Sequence, residues 1–338
     1  MSVPTQVQTA VDTPLTEVGR LKLRGQHLAP ITSAFPDLDK NGFAVVKHVI
    51  TAEQAATYVD QAYAWLEGFG KGFDRNDRST WKVDKLPAFT KGGLYNRHGS
   101  GHEQFAWDIR SEPGLIETFA KIWGTDELLV SFDGVNVSLP FEKDDLVDRA
   151  PWPHVDQSPL RRFKHCVQGI MNLYENGPND GGLMVLEGSF GLYNAFFESH
   201  EDDAPPGGWD EKDSYRFDEK QLRWFYDRGC TWRKIEAEAG DVILWDSRCI
   251  HYGAAAEASS PRIATYVCYK PARDATSEIQ QVRRLAMGNY DNTSHDPIMC
   301  RPTGSRINGV LTKDEQLRPR TLPVLSQRAK QLAGLVAY

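Results

Sequence analysis

In the segment Pro151-Trp152-Pro153-His154-Val155-Asp156-Gln157-Ser158-Pro159, an imidazole and a carboxylate stand two residues apart among prolines. Prolines restrict the backbone and favour extended chain in the residues before them. In extended chain, residues two apart point the same way, so His154 and Asp156 can face one metal ion while Val155 points away. Far downstream an apolar run delivers His251, and after ten intervening residues Arg262 opens another apolar run. Two imidazoles and one carboxylate on rigid strands suit non-haem Fe(II), because they occupy one face of an octahedral ion and leave three positions open. Those positions accommodate a chelating 2-oxo acid and O₂. Arg262 then has a task, since its planar fork can hold the far carboxylate of such an acid. Taken singly, the His-X-Asp pair is an ordinary solvated strand end, His251 a satisfied core histidine and Arg262 a surface ion pair. Together they point to a metal.

These residues need a β scaffold, and the sequence supplies one from about residue 128 onward. LLVSFDGVNVSL, FKHCVQGIMNLY, GGLMVLEGS, GDVILWDSRCIHYGA and PRIATYVCYKP are short strand-like runs separated by Gly, Pro, Asn and Asp. So many short strands late in the chain predict a sandwich or barrel. Upstream, Phe43–Val46 reads as a strand. Thr51 with Gln54 three residues on forms a capping-box signal for the helix AEQAATYVDQAYAWLEGF. Residues 70–104 read as long loops. The strand series is interrupted at 195–230, where a Pro-Pro-Gly-Gly stretch precedes the aromatic helix FDEKQLRWFYDRG, and this insertion is expected to form a wall or lid. The expected organisation is an N-terminal arm over 1–30, one domain over 31–310 and a C-terminal helical segment over 311–338.

At this point the sequence resembles the phytanoyl-CoA dioxygenase family. The resemblance runs from about residue 38 to residue 271 and rests on NGFAVVKHVITAEQ, the HVD motif, NGPNDGGLMVLEGSF and the His251–Arg262 spacing. It implies a mainly β, double-stranded β-helix (jelly-roll, cupin-like) fold with flanking N- and C-terminal helices. It further implies Fe(II) on His154, Asp156 and His251, with 2-oxoglutarate as co-substrate held by Arg262 and touched by Gln168, and O₂ as oxidant. The implied reaction is oxidation of an unactivated C–H bond, by hydroxylation, desaturation or cyclisation. Halogenating relatives lack the carboxylate ligand, and here Asp156 is present. The chain departs from the family pattern at Phe190, where His is usual, and at Gly253, where Ser or Thr is common; neither change removes an iron ligand. Two readings of other classes compete: a Zn²⁺-dependent β-barrel hydrolase or isomerase, and a catalytically silent binding relative. The first gives Arg262 no task, and intact ligands speak against the second.

Further residues were weighed as substrate contacts. His102 and Trp107, in the polar-aromatic cluster GHEQFAWDIR, and Trp245, close to His251, are candidates for lining the substrate cavity. Trp152 is a further candidate, and Arg161 and Arg162 read as a solvated pair. The chain has 338 residues, a net charge of −7 and 40% hydrophobic residues. An acidic chain lacks the electrostatic footprint of a nucleic-acid binder. No stretch has the length of a membrane span. The expected partner is a small-molecule substrate, with no nucleic acid and no membrane; oligomeric state is not legible. Five widely spaced cysteines suggest buried free thiols in a reducing compartment, and none has the partners of a catalytic thiol. A cytoplasmic location is expected. The pattern Arg20-Leu21…His27-Leu28 loosely resembles a peroxisomal address.

Overall fold

A computed structural model describes residues 33–90, 92–141, 150–257, 259–303 and 315–338. The 1–30 arm and its Arg20–Leu28 pattern lie outside the described residues. Twelve strands form two antiparallel sheets: β1 (Phe43–Val46), β2 (Leu94–Tyr95), β3 (Leu128–Val130), β4 (Val135–Ser138), β5 (His154–Val155), β6 (Val167–Asn172), β7 (Gly182–Glu187), β8 (Tyr215–Arg216), β9 (Thr231–Lys234), β10 (Val242–Asp246), β11 (His251–Ala254) and β12 (Arg262–Pro271). The larger sheet runs β1-β10-β6-β12-β4-β2, with β3 also on β12, and the smaller runs β8-β5-β11-β7-β9. Facing each other, they form a jelly-roll.

Alternation along the strands explains the packing. On the larger sheet, Val167 and Met171 of β6, Val242 and Leu244 of β10, and Ile263 and Val267 of β12 face outward into the largest hydrophobic cluster. Helices cover them there: α1 (Pro36–Asn41), α2 (Ala52–Glu67), α3 (Gln104–Arg110) and α4 (Pro113–Trp123). The intervening residues Ile170, Ile243, Trp245 and Ala264 face inward and meet Leu183 and Val185 of β7. The polar residues Gln168 and Arg262 share that inward parity. The strand pattern alone therefore brings them inside.

Helix α2 starts where the capping box predicts, with Thr51 and Gln54 exchanging both bonds. Two helical stretches were not legible. In α3, Phe105, Ala106, Trp107 and Ile109 are all buried, so no polar face marks the helical period. Helix α5 (Ser189–Ser199) likewise follows β7 without a polar stripe. The chain then passes through β8 to α6 (Glu219–Tyr226), and later to α7 (Ser277–Asn289) and α8 (Gln327–Ala333). The C-terminal helix predicted from LSQRAKQLAGLVAY is thus present. No helix among the described residues is long and apolar enough to cross a membrane.

Candidate metal centre and its cavity

Antiparallel pairing sets His251 of β11 directly opposite His154 of β5. Val155 points away into a separate hydrophobic cluster, while Asp156 returns to the side of His154. The His154 Nε2 lies 3.4 Å from one Asp156 oxygen and the His251 Nε2 lies 3.2 Å from the other. Ligand atoms of the three residues all fall within 4.8 Å of one another. Each imidazole is oriented from behind: His154 Nδ1 donates to the Trp152 carbonyl at 3.0 Å, and His251 Nδ1 donates to the Cys249 carbonyl at 2.9 Å. This leaves both Nε2 lone pairs directed at the carboxylate, as a metal-ligating histidine requires. Trp152 stacks on His154 at 3.9 Å, and Trp245 leans against His251 at 5.4 Å.

Electrostatics agree with the geometry. Burial, and then the neighbouring His251, push the His154 imidazole below its ordinary pKa, so it stays neutral and able to ligate. Burial alone would raise Asp156, but the His154 and His295 imidazoles outweigh it and hold the carboxyl well below its usual range. Asp156 is further fixed by Gln168, whose Nε2 donates to it at 2.8 Å and reaches Ser247 Oγ at 3.3 Å. Gln168 faces the cavity, yet its amide nitrogen serves the carboxylate.

The donor set fits Fe(II): two neutral imidazole nitrogens and a carboxylate oxygen converge with no protein cation between them. The surroundings fit a dicarboxylic 2-oxo acid. Arg262 is only 5% exposed. Its Nη1 donates to Asn136 Oδ1 at 2.6 Å, and among the described residues no carboxylate lies within ion-pair distance of it. A buried guanidinium facing an amide is a receptor for an anion. Gly182 makes room for it, since a Cβ there would stand 2.9 Å from Arg262 Nε. Both groups open on one cavity of about 1000 Å³. That is more than a small dicarboxylate fills and leaves space for a second molecule.

Trp245, Gln168 and Arg262 line this cavity, as does Trp152. His102 and Trp107 do not. His102 is fully buried, packed at 5.1 Å against Phe132 and 5.8 Å against Tyr290, with its Nε2 donating to the Asp291 carbonyl. Trp107 sits in the helix-covered core. Their polar-aromatic character reflects packing behind the sheet. Arg161, read as solvated, is fully buried and ion-paired with Asp213. The insertion divides in two. Trp224 and Phe225 pack with Phe196 on the outside of the small sheet, whereas β8 pairs with β5 and brings Ser214 and Arg216 to the cavity wall. Asp133, Asn136 and His295 also line the cavity; no local motif announced them.

A second cluster of His165, Asp213 and Asp296 has metal-like spacing. Lys270 occupies it, with Nζ 3.0 Å from the same Asp296 oxygen that His165 Nε2 meets at 2.8 Å. A protein ammonium therefore supplies the charge a metal would bring. All five cysteines are free and buried.

Residues 38–264 match the family model for phytanoyl-CoA dioxygenase. "Ava biosynthesis cluster protein O" of Aspergillus versicolor is 39% identical over 263 residues, which cover 77% of this chain and 84% of that protein. Among solved structures, GlcNAc Inducible Gene 2 from Candida albicans aligns with a TM-score of 0.55 at 12% identity, over 88% of this chain and 79% of that one. EctD from S. alaskensis, solved with bound Fe, aligns with a TM-score of 0.50 at 14% identity, over 88% and 93%. These two likenesses speak for the fold. The chain belongs to the phytanoyl-CoA dioxygenase family, whose members are non-haem enzymes using Fe(II), 2-oxoglutarate and O₂.

Proposed function

We propose that this dioxygenase oxidises an unactivated C–H bond of a small molecule, with hydroxylation as the default outcome and desaturation or cyclisation as variants of the same first hydrogen removal. The observation that carries the reading is the shared cavity: three converging ligand side chains and one buried, acid-free Arg262 open on a single chamber with room for a further molecule. In this reading His154, Asp156 and His251 hold Fe(II). Arg262, with Asn136 steering its fork, holds the distal carboxylate of 2-oxoglutarate. When bound, the iron, 2-oxoglutarate and O₂ supply the oxidising power that an aliphatic C–H bond demands.

The chain's own residues do the rest. Gln168 and Ser247 keep Asp156 in its ligating orientation. The carbonyls of Trp152 and Cys249 keep both imidazoles in the tautomer that presents Nε2 to the metal. Trp152 and Trp245 form apolar walls around the ligands and exclude water there. The relative from a biosynthesis cluster supports a secondary metabolite as substrate. A cytoplasmic location is part of the same proposal.

The test is to load the protein with Fe(II) and 2-oxoglutarate, add metabolite extract, and follow succinate and the masses of small molecules. Succinate formation coupled to a metabolite gaining about 16 or losing about 2 mass units is the expected result. A hydrolysed or isomerised metabolite without succinate would replace this reading with the zinc one.

A further inference from the structure

The family match ends at residue 264, yet part of the cavity wall comes from a later segment. Residues 292–303 are tied down at several points. Thr293 exchanges bonds with Phe132, its N–H donating to the Phe132 carbonyl and its Oγ1 accepting from the Phe132 N–H, both at 3.0 Å. Ser294 N–H donates to the Arg301 carbonyl at 2.8 Å. Asp296 binds Lys270 of β12 and His165, and its other oxygen accepts from the N–H groups of Ile298 and Met299. Between these anchors stands His295, a cavity-lining residue. Its Nε2 is buried and has no hydrogen-bond partner.

A buried ring nitrogen left without a partner costs free energy, and fixing it on both sides in the chain makes little sense unless something meets it. Four carboxylates surround the ring at electrostatic range: Asp156, Asp213, Asp296 and Asp133. Such surroundings favour an N–H at the ring edge, so the missing partner is an acceptor. We infer that His295 is a substrate-positioning residue, donating from Nε2 to an oxygen of the primary substrate, and that the substrate class is a small, largely apolar molecule bearing a carbonyl, hydroxyl or ether oxygen. The inference rests on the cavity being an oxygenase substrate chamber, as proposed above. The apolar remainder of the molecule would lie against Trp152, Phe141 and Leu139, which share the lining.

A matched pair of probes tests it: 1-tetralone, and tetralin, which has the same skeleton without the oxygen. Binding of each to the full-length protein, loaded anaerobically with Fe(II) and 2-oxoglutarate, is measured by equilibrium dialysis. The wild type should prefer the ketone by roughly tenfold, the value of one net hydrogen bond in a dry site. His295→Leu should lose the preference while still binding tetralin. His295→Gln, which keeps an N–H donor, should recover part of it. A purely structural role would weaken both probes together and leave their ratio unchanged. Failure of the wild type to distinguish the pair, or survival of the preference in His295→Leu, overturns the inference. The visible charge-transfer band of the iron–2-oxoglutarate complex separates the two levels: its absence from the wild type refutes the oxygenase reading itself, independently of His295.

Discussion

Two buried His–Asp clusters lie in this molecule, and they differ in where their cation comes from. At His154, Asp156 and His251, no side-chain cation stands between the ligands, and they open on a large cavity. At His165, Asp213 and Asp296, Lys270 completes the charge from within and the group is closed. The pattern repeats with the two buried cations of β12. Lys270 has its carboxylate, whereas Arg262 has an amide and no acid among the described residues. Ligand spacing alone does not mark a metal site. What marks it is charge left uncompensated by the protein, next to space.

The largest expected effect separates the clusters outright. His154→Ala or Asp156→Ala should abolish the charge-transfer band of Fe(II) with 2-oxoglutarate and reduce 2-oxoglutarate consumption to background. His165→Ala should keep the band. If the band survives in both of the first two variants, the ligand assignment falls.

The cations should then show crossed effects. Lys270→Met leaves Asp296 buried without its ammonium, and loss of one partner from a buried pair costs about 3–5 kcal/mol. Urea unfolding of the variant should show that loss, while the half-saturating concentration of 2-oxoglutarate in the surviving folded protein stays as in wild type. Arg262→Met removes a buried cation that has no acid, so stability should hold or rise slightly. The 2-oxoglutarate requirement should rise by roughly 100-fold, about 3 kcal/mol, because the co-substrate's carboxylate would be left unpaired. Arg262→Lys should recover only part, since a point charge replaces a planar fork. A large stability loss in Arg262→Met with unchanged 2-oxoglutarate dependence would make it a structural residue like Lys270.

The open cluster was legible in the sequence and the closed one was not, for a physical reason. His154 and Asp156 sit two apart on extended chain, and His251 ends an apolar strand, so strand periodicity alone aims them. Arg262 and Gln168 share the inward parity of their strands. Strand order and the jelly-roll followed from the same short apolar runs. Asp296 and His295, by contrast, lie in Asn-Thr-Ser-His-Asp-Pro, which has the composition of a solvated turn. Only the return of that turn onto β12 buries them. Arg161 misled in the same way, because its partner Asp213 is fifty-two residues away in the insertion. His102 and Trp107 misled in the opposite direction: a polar-aromatic cluster just ahead of the strands looked like a cavity wall and is packed behind the sheet instead.

His102 provides the third case, a buried imidazole with neither a metal nor an acid. Burial pushes its pKa down to about 3, from an ordinary 6.5. Below pH 6.5 the unfolded chain takes up a proton there that the folded chain refuses. The unfolded state therefore gains, and the contribution of this neutral ring to stability is full above pH 6.5 and is lost as pH falls from 6.5 toward 3. Between pH 6.5 and pH 5 one such group accounts for about 2 kcal/mol. Burial also depresses His154 and His165, so the wild-type profile sums several residues with the same sign. The difference between wild type and His102→Phe isolates one of them. The variant loses the bond to the Asp291 carbonyl at every pH, which shifts its curve without tilting it. Its stability, measured by urea unfolding of the metal-free protein at pH 7 and pH 5, should fall by about 2 kcal/mol less over that interval than wild type does. Parallel curves would mean that His102 takes up its proton in the folded state, and that this ring is not sealed behind Phe132 and Tyr290.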